Sequence, residues 1–171
     1  MAAPLLFPYH RAWPLALALA LALAAPSRAG DTWGLVGASV GPLRQPPRRP
    51  IADVELDHQV GDGPFGCWGA LDVTPNGDYY LGTGPGALWS PDSRWLFAVA
   101  TGPGYYFRQS GFDLGYALEF RSTFYAARRL EHGNAVGISF SHYSNSGMRN
   151  HNPGAETVRV FYAFPVPWFW R

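Results

Sequence analysis

The sequence predicts an all-β chain, an eight-stranded antiparallel transmembrane barrel behind a cleaved signal peptide. Three observations lead there. The first residues form an export leader. After them come short runs of alternating apolar and polar residues, punctuated by Gly, Pro, Asn and Asp. Aromatic residues make up 16% of the 171 positions and charged residues only 15%, against about 25% charged in an average soluble domain. That composition excludes disorder, which needs high charge and few aromatics, and it excludes a charged coiled coil. A formal net charge of +1 offers no basic surface to nucleic acid. The single cysteine, Cys67, excludes an intramolecular disulfide and a Cys-based zinc cluster; it reads as a half-buried small residue.

Residues 1–29 make the leader. His10 and Arg11 give a weakly basic start, Pro14 to Ala25 is an apolar run, and Ser27-Arg28-Ala29 offers small residues for cleavage before Gly30. The run is shorter than the ~20 residues of a membrane helix. The domain is then 30–171, room for eight strands of about ten residues with their turns.

Strands are expected near 32–40, 51–60, 67–73, 78–84, 94–101, 114–125, 134–144 and 156–164. Thr74-Pro75-Asn76-Gly77-Asp78 and Glu131-His132-Gly133-Asn134 are tight turns. Residues 102–112 and 145–155 read as longer loops, and the Pro- and Arg-rich stretch 44–50 as a stiff connector. Val54 and Leu56 alternate with Asp53, Glu55 and Asp57. Leu114, Tyr116, Leu118, Phe120, Ser122 and Phe124 alternate with Glu119, Arg121 and Thr123. Val136, Ile138 and Phe140 alternate with Gly137 and Ser139; Val158, Val160 and Tyr162 alternate with Thr157 and Arg159.

One face of each strand is therefore large and apolar, the other small or charged. A soluble sandwich would bury the apolar face. An outer-membrane barrel turns it to lipid and packs polar groups in the lumen. Periodicity alone fits both; export, strand number and aromatic content favour the barrel. Glu119 is expected to pair with Arg121 or Arg159 inside.

Ser141-His142-Tyr143-Ser144-Asn145-Ser146-Gly147, followed by Asn152-Pro153-Gly154-Ala155-Glu156, stands out chemically. His142 and Ser144 share a strand face with Cβ atoms about 6–7 Å apart. Both are in phase with Val136, Ile138 and Phe140, and Glu156 is in phase with Val158 and Val160. A hairpin of the last two strands gathers the three at its loop end, on the apolar face. Polar groups there are costly unless they pair. They also suit acyl transfer: His142 can take the Ser144 proton, Glu156 can orient the imidazole, and Asn145 with the Gly147 N–H can hold an oxyanion. His-x-Ser is a common spacing, so a purely structural hairpin end stays open on the residues alone. His58, His132 and His151 are scattered and read as surface or loop residues, so no metal or cofactor is expected.

The stretch Gly115 to Pro165 resembles the lipid A 3-O-deacylase (PagL) family. The resemblance rests on Leu118-Glu119-Phe120-Arg121-Ser122, Gly137-Ile138-Ser139-Phe140, the His142-to-Gly147 block, Asn152-Pro153-Gly154 and Glu156. It implies an eight-stranded barrel in the Gram-negative outer membrane with a lipid-facing Ser–His–Glu site. That site hydrolyses the ester-linked 3-position hydroxyacyl chain of lipid A. Carried over, Ser144 is the nucleophile, His142 the base, Glu156 its orienting acid, and Asn145 and Gly147 the oxyanion hole. Lipid A or lipopolysaccharide is then the substrate and the outer membrane the environment, with a homodimer allowed. Arg149 and the arginines of 44–50 become candidates for lipid A phosphates. Two other functions compete: a non-catalytic barrel, structural or adhesive, and a soluble exported β-barrel that binds lipid.

Overall fold

The computed structural model describes residues 32–44, 49–59 and 64–166. The expected leader and its cleavage site lie outside them, as do most of the Pro/Arg connector and residues 167–171. Eight strands follow one another: β1 (Thr32–Gly41), β2 (Arg49–Gln59), β3 (Phe65–Val73), β4 (Tyr79–Trp89), β5 (Trp95–Phe107), β6 (Leu118–Arg129), β7 (Ala135–Ser144) and β8 (Ala155–Pro165). Each pairs antiparallel with its neighbours, and β1 closes on β8. Closure leaves no sheet edge, so the strands find their backbone partners within the sheet.

The alternation decides what each wall meets. Val36, Val54, Val99, Phe124, Ile138 and Val160 stand outside, with Val160 64% exposed. Glu55, Trp68, Asp72, Arg121, Tyr125, Tyr143 and Arg159 are buried within. A sandwich in water would reverse this arrangement; an apolar exterior around a polar lumen is that of an outer-membrane barrel.

The lumen is organised by Glu55. Its Oε2 accepts from Arg121 and, at 3.2 Å, from Arg159, while Tyr125 donates its hydroxyl to Oε1. Arg121 also reaches Asp72 at 3.4 Å, and the Tyr143 hydroxyl donates to Asp72 at 2.7 Å. The Arg121 guanidinium lies 4.2 Å over the Trp68 ring. The expected partner, Glu119, takes neither arginine. Long guanidinium side chains cross the lumen to a carboxylate on β2, whereas Glu119 and Arg121 project side by side from one strand.

Four strand boundaries move by four residues or more. β4 continues past 84, β5 past 101 and β6 past 125, and β6 starts at Leu118, so the loop is 108–117 and Leu114 and Tyr116 lie in it. Gly84-Pro85-Gly86 and Gly102-Pro103-Gly104 look like chain breakers in sequence. In the barrel Pro85 and Pro103 face outward, and Gly84 and Gly102 approach each other where the β4–β5 ladder is interrupted between Gly82↔Gly104 and Gly86↔Ala100. A Cβ on Gly102 would stand 2.1 Å from the Thr83 carbonyl oxygen, and one on Gly84 the same distance from that of Thr101. The freed Thr101 carbonyl accepts from the Trp68 indole at 3.2 Å, filling the lumen beside the glycines. Gly102→Val forces two backbones apart and is expected to destabilise the barrel by at least about 3 kcal/mol, read as a lower urea midpoint of the refolded protein.

One rim carries the short turns 90–94 and 130–134, the second closed by a 3-10 turn at Glu131–Gly133 as expected. The other carries the connections 74–78, 108–117 and 145–154, the usual outer side of such barrels. The chemical cluster lies at that outer rim.

Candidate active site

Strand pairing brings the cluster together. β7 and β8 form the expected hairpin, with His142 directly opposite Glu156. Both stand on the outer wall, in phase with Phe140 and Val158. The His142 Nδ1 faces Glu156 Oε1 at 3.5 Å, the carboxylate nearly buried and the imidazole about half exposed. Glu156 Oε1 also lies 3.5 Å from Arg44 Nε. Arg44 is brought there because the Leu43 N–H donates to the Glu156 carbonyl at 2.8 Å, extending the β1–β8 seam.

Ser144 ends β7, two residues beyond His142 on the same wall. Its Oγ accepts from the Ser146 N–H at 3.0 Å and from Asn152 Nδ2 at 3.2 Å. Neither bond uses the hydroxyl proton, which stays available to a base. The chain folds back just after Ser144: Ser146 has φ 53° and Gly147 φ 75°. A left-handed serine is uncommon, and here it turns its own N–H onto Ser144. Gly154, at φ 63°, lets the returning chain lie against the imidazole; a Cβ there would stand 3.3 Å from His142 Cε1.

The other two expected site residues shape the loop. Asn145 is fully buried. Its Nδ2 donates to the His151 carbonyl at 2.9 Å, its Oδ1 accepts from the Gly147 N–H at 3.1 Å, and its own N–H donates to Asn152 Oδ1 at 3.2 Å. In this conformation Asn145 and Gly147 are engaged with the loop, and the donors aimed at Ser144 belong to Ser146 and Asn152. The sequence holds Asn152 inside the Asn-Pro-Gly motif, but nothing local says that its amide returns to a serine eight residues earlier. Arg149 lies 4.7 Å over the Tyr116 ring, and His151 is exposed.

The neighbouring loops are braced by Asp78. Its Oδ1 accepts the N–H groups of Gln109, Ser110 and Gly111 at 2.7, 3.0 and 2.9 Å, and its Oδ2 takes the Thr74 hydroxyl and Asn76 Nδ2. Burial alone would raise this carboxyl, but the three backbone donors and Thr74 outweigh it and hold it below the usual carboxylate range. The bracing is fully present above the ordinary carboxylate range and is lost only as pH falls through the lowered value. Protease resistance of the 108–117 loop should therefore persist through mild acid and fail below it. Asp78→Ala should leave the loop open to cleavage at every pH.

Among proteins of known family, a model described as Lipid A 3-O-deacylase (PagL) matches residues 56–165. Lipid A deacylase PagL of Bordetella bronchiseptica is 30% identical over 128 residues, covering 63% of this chain and 67% of that protein. Lipid A deacylase PagL of Pseudomonas aeruginosa is 35% identical over 54 residues, 32% of this chain and 31% of that one. In fold, the chain is similar to the crystal structure of the outer membrane enzyme PagL, with a TM-score of 0.58 at 22% identity over 77% of this chain and 99% of that one. Sequence match, relatives and barrel agree, and the chain belongs to the lipid A 3-O-deacylase (PagL) family.

Proposed function

We propose that the protein hydrolyses the ester-linked 3-position acyl chain of lipid A from within the outer membrane, by a serine-hydrolase mechanism. The observation that carries this reading is the placement of Ser144 and His142 two residues apart on the lipid-facing wall at the outer rim, with the His142 Nδ1 3.5 Å from Glu156 Oε1 on the paired strand. Lipid A resides in the outer leaflet, so its ester can reach these residues without leaving the membrane.

With Nδ1 directed at Glu156, His142 keeps Nε2 as the base. Ser144 Oγ attacks the ester carbonyl as its proton passes to Nε2, and Glu156 stabilises the imidazolium. The oxyanion grows beside Ser144 Oγ, within reach of the Ser146 N–H and Asn152 Nδ2. The Gly147 N–H becomes a third donor if it releases Asn145 Oδ1, and Asn145 holds the turn in place. Collapse breaks the bond to the sugar oxygen, which takes the proton back from His142. Water, deprotonated by His142, then frees the fatty acid from Ser144. The Arg44 guanidinium, 79% exposed beside Glu156, and Arg149 are placed for the anionic headgroup.

Expression in a Gram-negative host that retains the 3-O chain tests the reading. Mass spectrometry of its lipid A should show a species lighter by one hydroxyacyl chain. Unaltered lipid A from cells carrying the folded barrel would overturn the reading and leave a non-catalytic barrel.

A further inference from the structure

A row of polar side chains crosses the outer wall at the height of His142. Glu156 on β8 is opposite His142 on β7, His142 is opposite Ser122 on β6, and Ser122 is opposite Thr101 on β5. All four face outward. Thr101 Oγ1 and Ser122 Oγ are hydrogen-bonded at 2.9 Å, and both residues are exposed. The level toward the rim holds Phe120 and Pro103; the level toward the membrane centre holds Phe124, Val99 and Phe140. The hydroxyl pair thus ends a polar row that is bounded above and below by apolar side chains.

Hydroxyls facing hydrocarbon are costly unless bonded. The bond between Ser122 and Thr101 satisfies one hydrogen and leaves the other, with several lone pairs, open to a ligand. Directly opposed residues of an antiparallel pair have Cβ atoms about 4.5–5.5 Å apart. Ser122 therefore stands beside the imidazole, on the side away from Glu156. An acyl chain whose ester carbonyl sits at Ser144 and whose tail runs into the membrane must pass this level within its first few carbons.

We propose that Ser122 and Thr101 form a subsite for the 3-hydroxyl group of the acyl chain being released, and so select 3-hydroxyacyl esters over unsubstituted ones. This rests on the deacylase reading, in which a hydroxyacyl chain is released, and adds which side chains recognise its hydroxyl and select for it. The chain's hydroxyl donates to one of the paired oxygens and accepts the remaining hydrogen. An unsubstituted chain leaves the pair facing methylene groups. Sites that hydrogen-bond a substrate hydroxyl discriminate against analogues lacking it, because their own polar groups are then unpaired.

The test uses the full-length protein refolded in detergent and two lipid A preparations that differ only in a 3-hydroxylated or unsubstituted 3-O chain of equal length. The readout is the ratio of kcat/KM for the two. The wild type should favour the hydroxylated ester by about tenfold, the worth of one such bond. Ser122→Ala and Thr101→Val should each bring the ratio close to one, while Ser122→Thr should keep it. Heat-modifiable migration shows that each variant is folded. A wild type without preference, or folded Ala and Val variants that keep the wild-type ratio, overturns the subsite. A wild type that hydrolyses neither ester overturns the deacylase reading and the subsite with it.

Discussion

Ser144→Ala should abolish the loss of an acyl chain from host lipid A while leaving the barrel intact in the outer membrane. On the proposed mechanism the substitution removes the atom that forms the acyl-enzyme bond. In serine hydrolases such a loss lowers kcat by about a thousandfold or more, and what remains comes from oxyanion donors and binding. Ser144 is partly exposed at the end of β7, so removing its Oγ opens no core cavity, and heat-modifiable migration should match the wild type. His142→Gln should be nearly as severe, and the double variant no worse than either, because a nucleophile and its base act as one unit. Full deacylation by a folded Ser144→Ala protein would remove Ser144 from the mechanism.

The largest effect on stability is expected at Glu55, far from the chemistry. Glu55→Ala leaves the Arg121 and Arg159 guanidinium groups without their shared carboxylate and Tyr125 without its acceptor. Breaking a buried ion pair by removing one partner costs about 3–5 kcal/mol, because the other charge stays buried and uncompensated. The urea midpoint of the refolded barrel should fall accordingly. Replacing Glu55 and Arg121 together, by Leu and Met, should cost less than the two single changes added, since neither orphaned charge of that pair remains. Additive losses would show that the two side chains do not act as a pair.

The contrast between these residues explains what the sequence makes legible. Strand alternation has a period of two and needs only neighbours along the chain, so the outward set of Val136, Ile138 and Phe140 is readable from a single segment. The same phase rule places His142, Ser144 and Glu156 on one wall, because their strands are consecutive and pair with each other. The lumen network is different: Arg121 and Glu55 are 66 residues apart, and only barrel closure decides that they meet. Along the chain alone, Glu119 is the carboxylate nearest to Arg121. Gly84 and Gly102 are ambiguous in sequence for a related reason. A glycine that admits a neighbouring backbone and one that turns the chain look alike until the strand across from it is known. Asn152 was visible within its motif, but its contact with Ser144 depends on the left-handed turn at Ser146.

The placement of Ser144, His142 and Glu156 on the outer wall has a kinetic consequence. On the proposed mechanism the reacting ester sits on the lipid-facing wall, and the fatty tail need not be lifted into water. Turnover should follow the mole fraction of substrate within the leaflet or micelle, not its bulk molarity. Diluting lipid A with inert detergent at fixed total substrate should slow the enzyme as strongly as withholding substrate does.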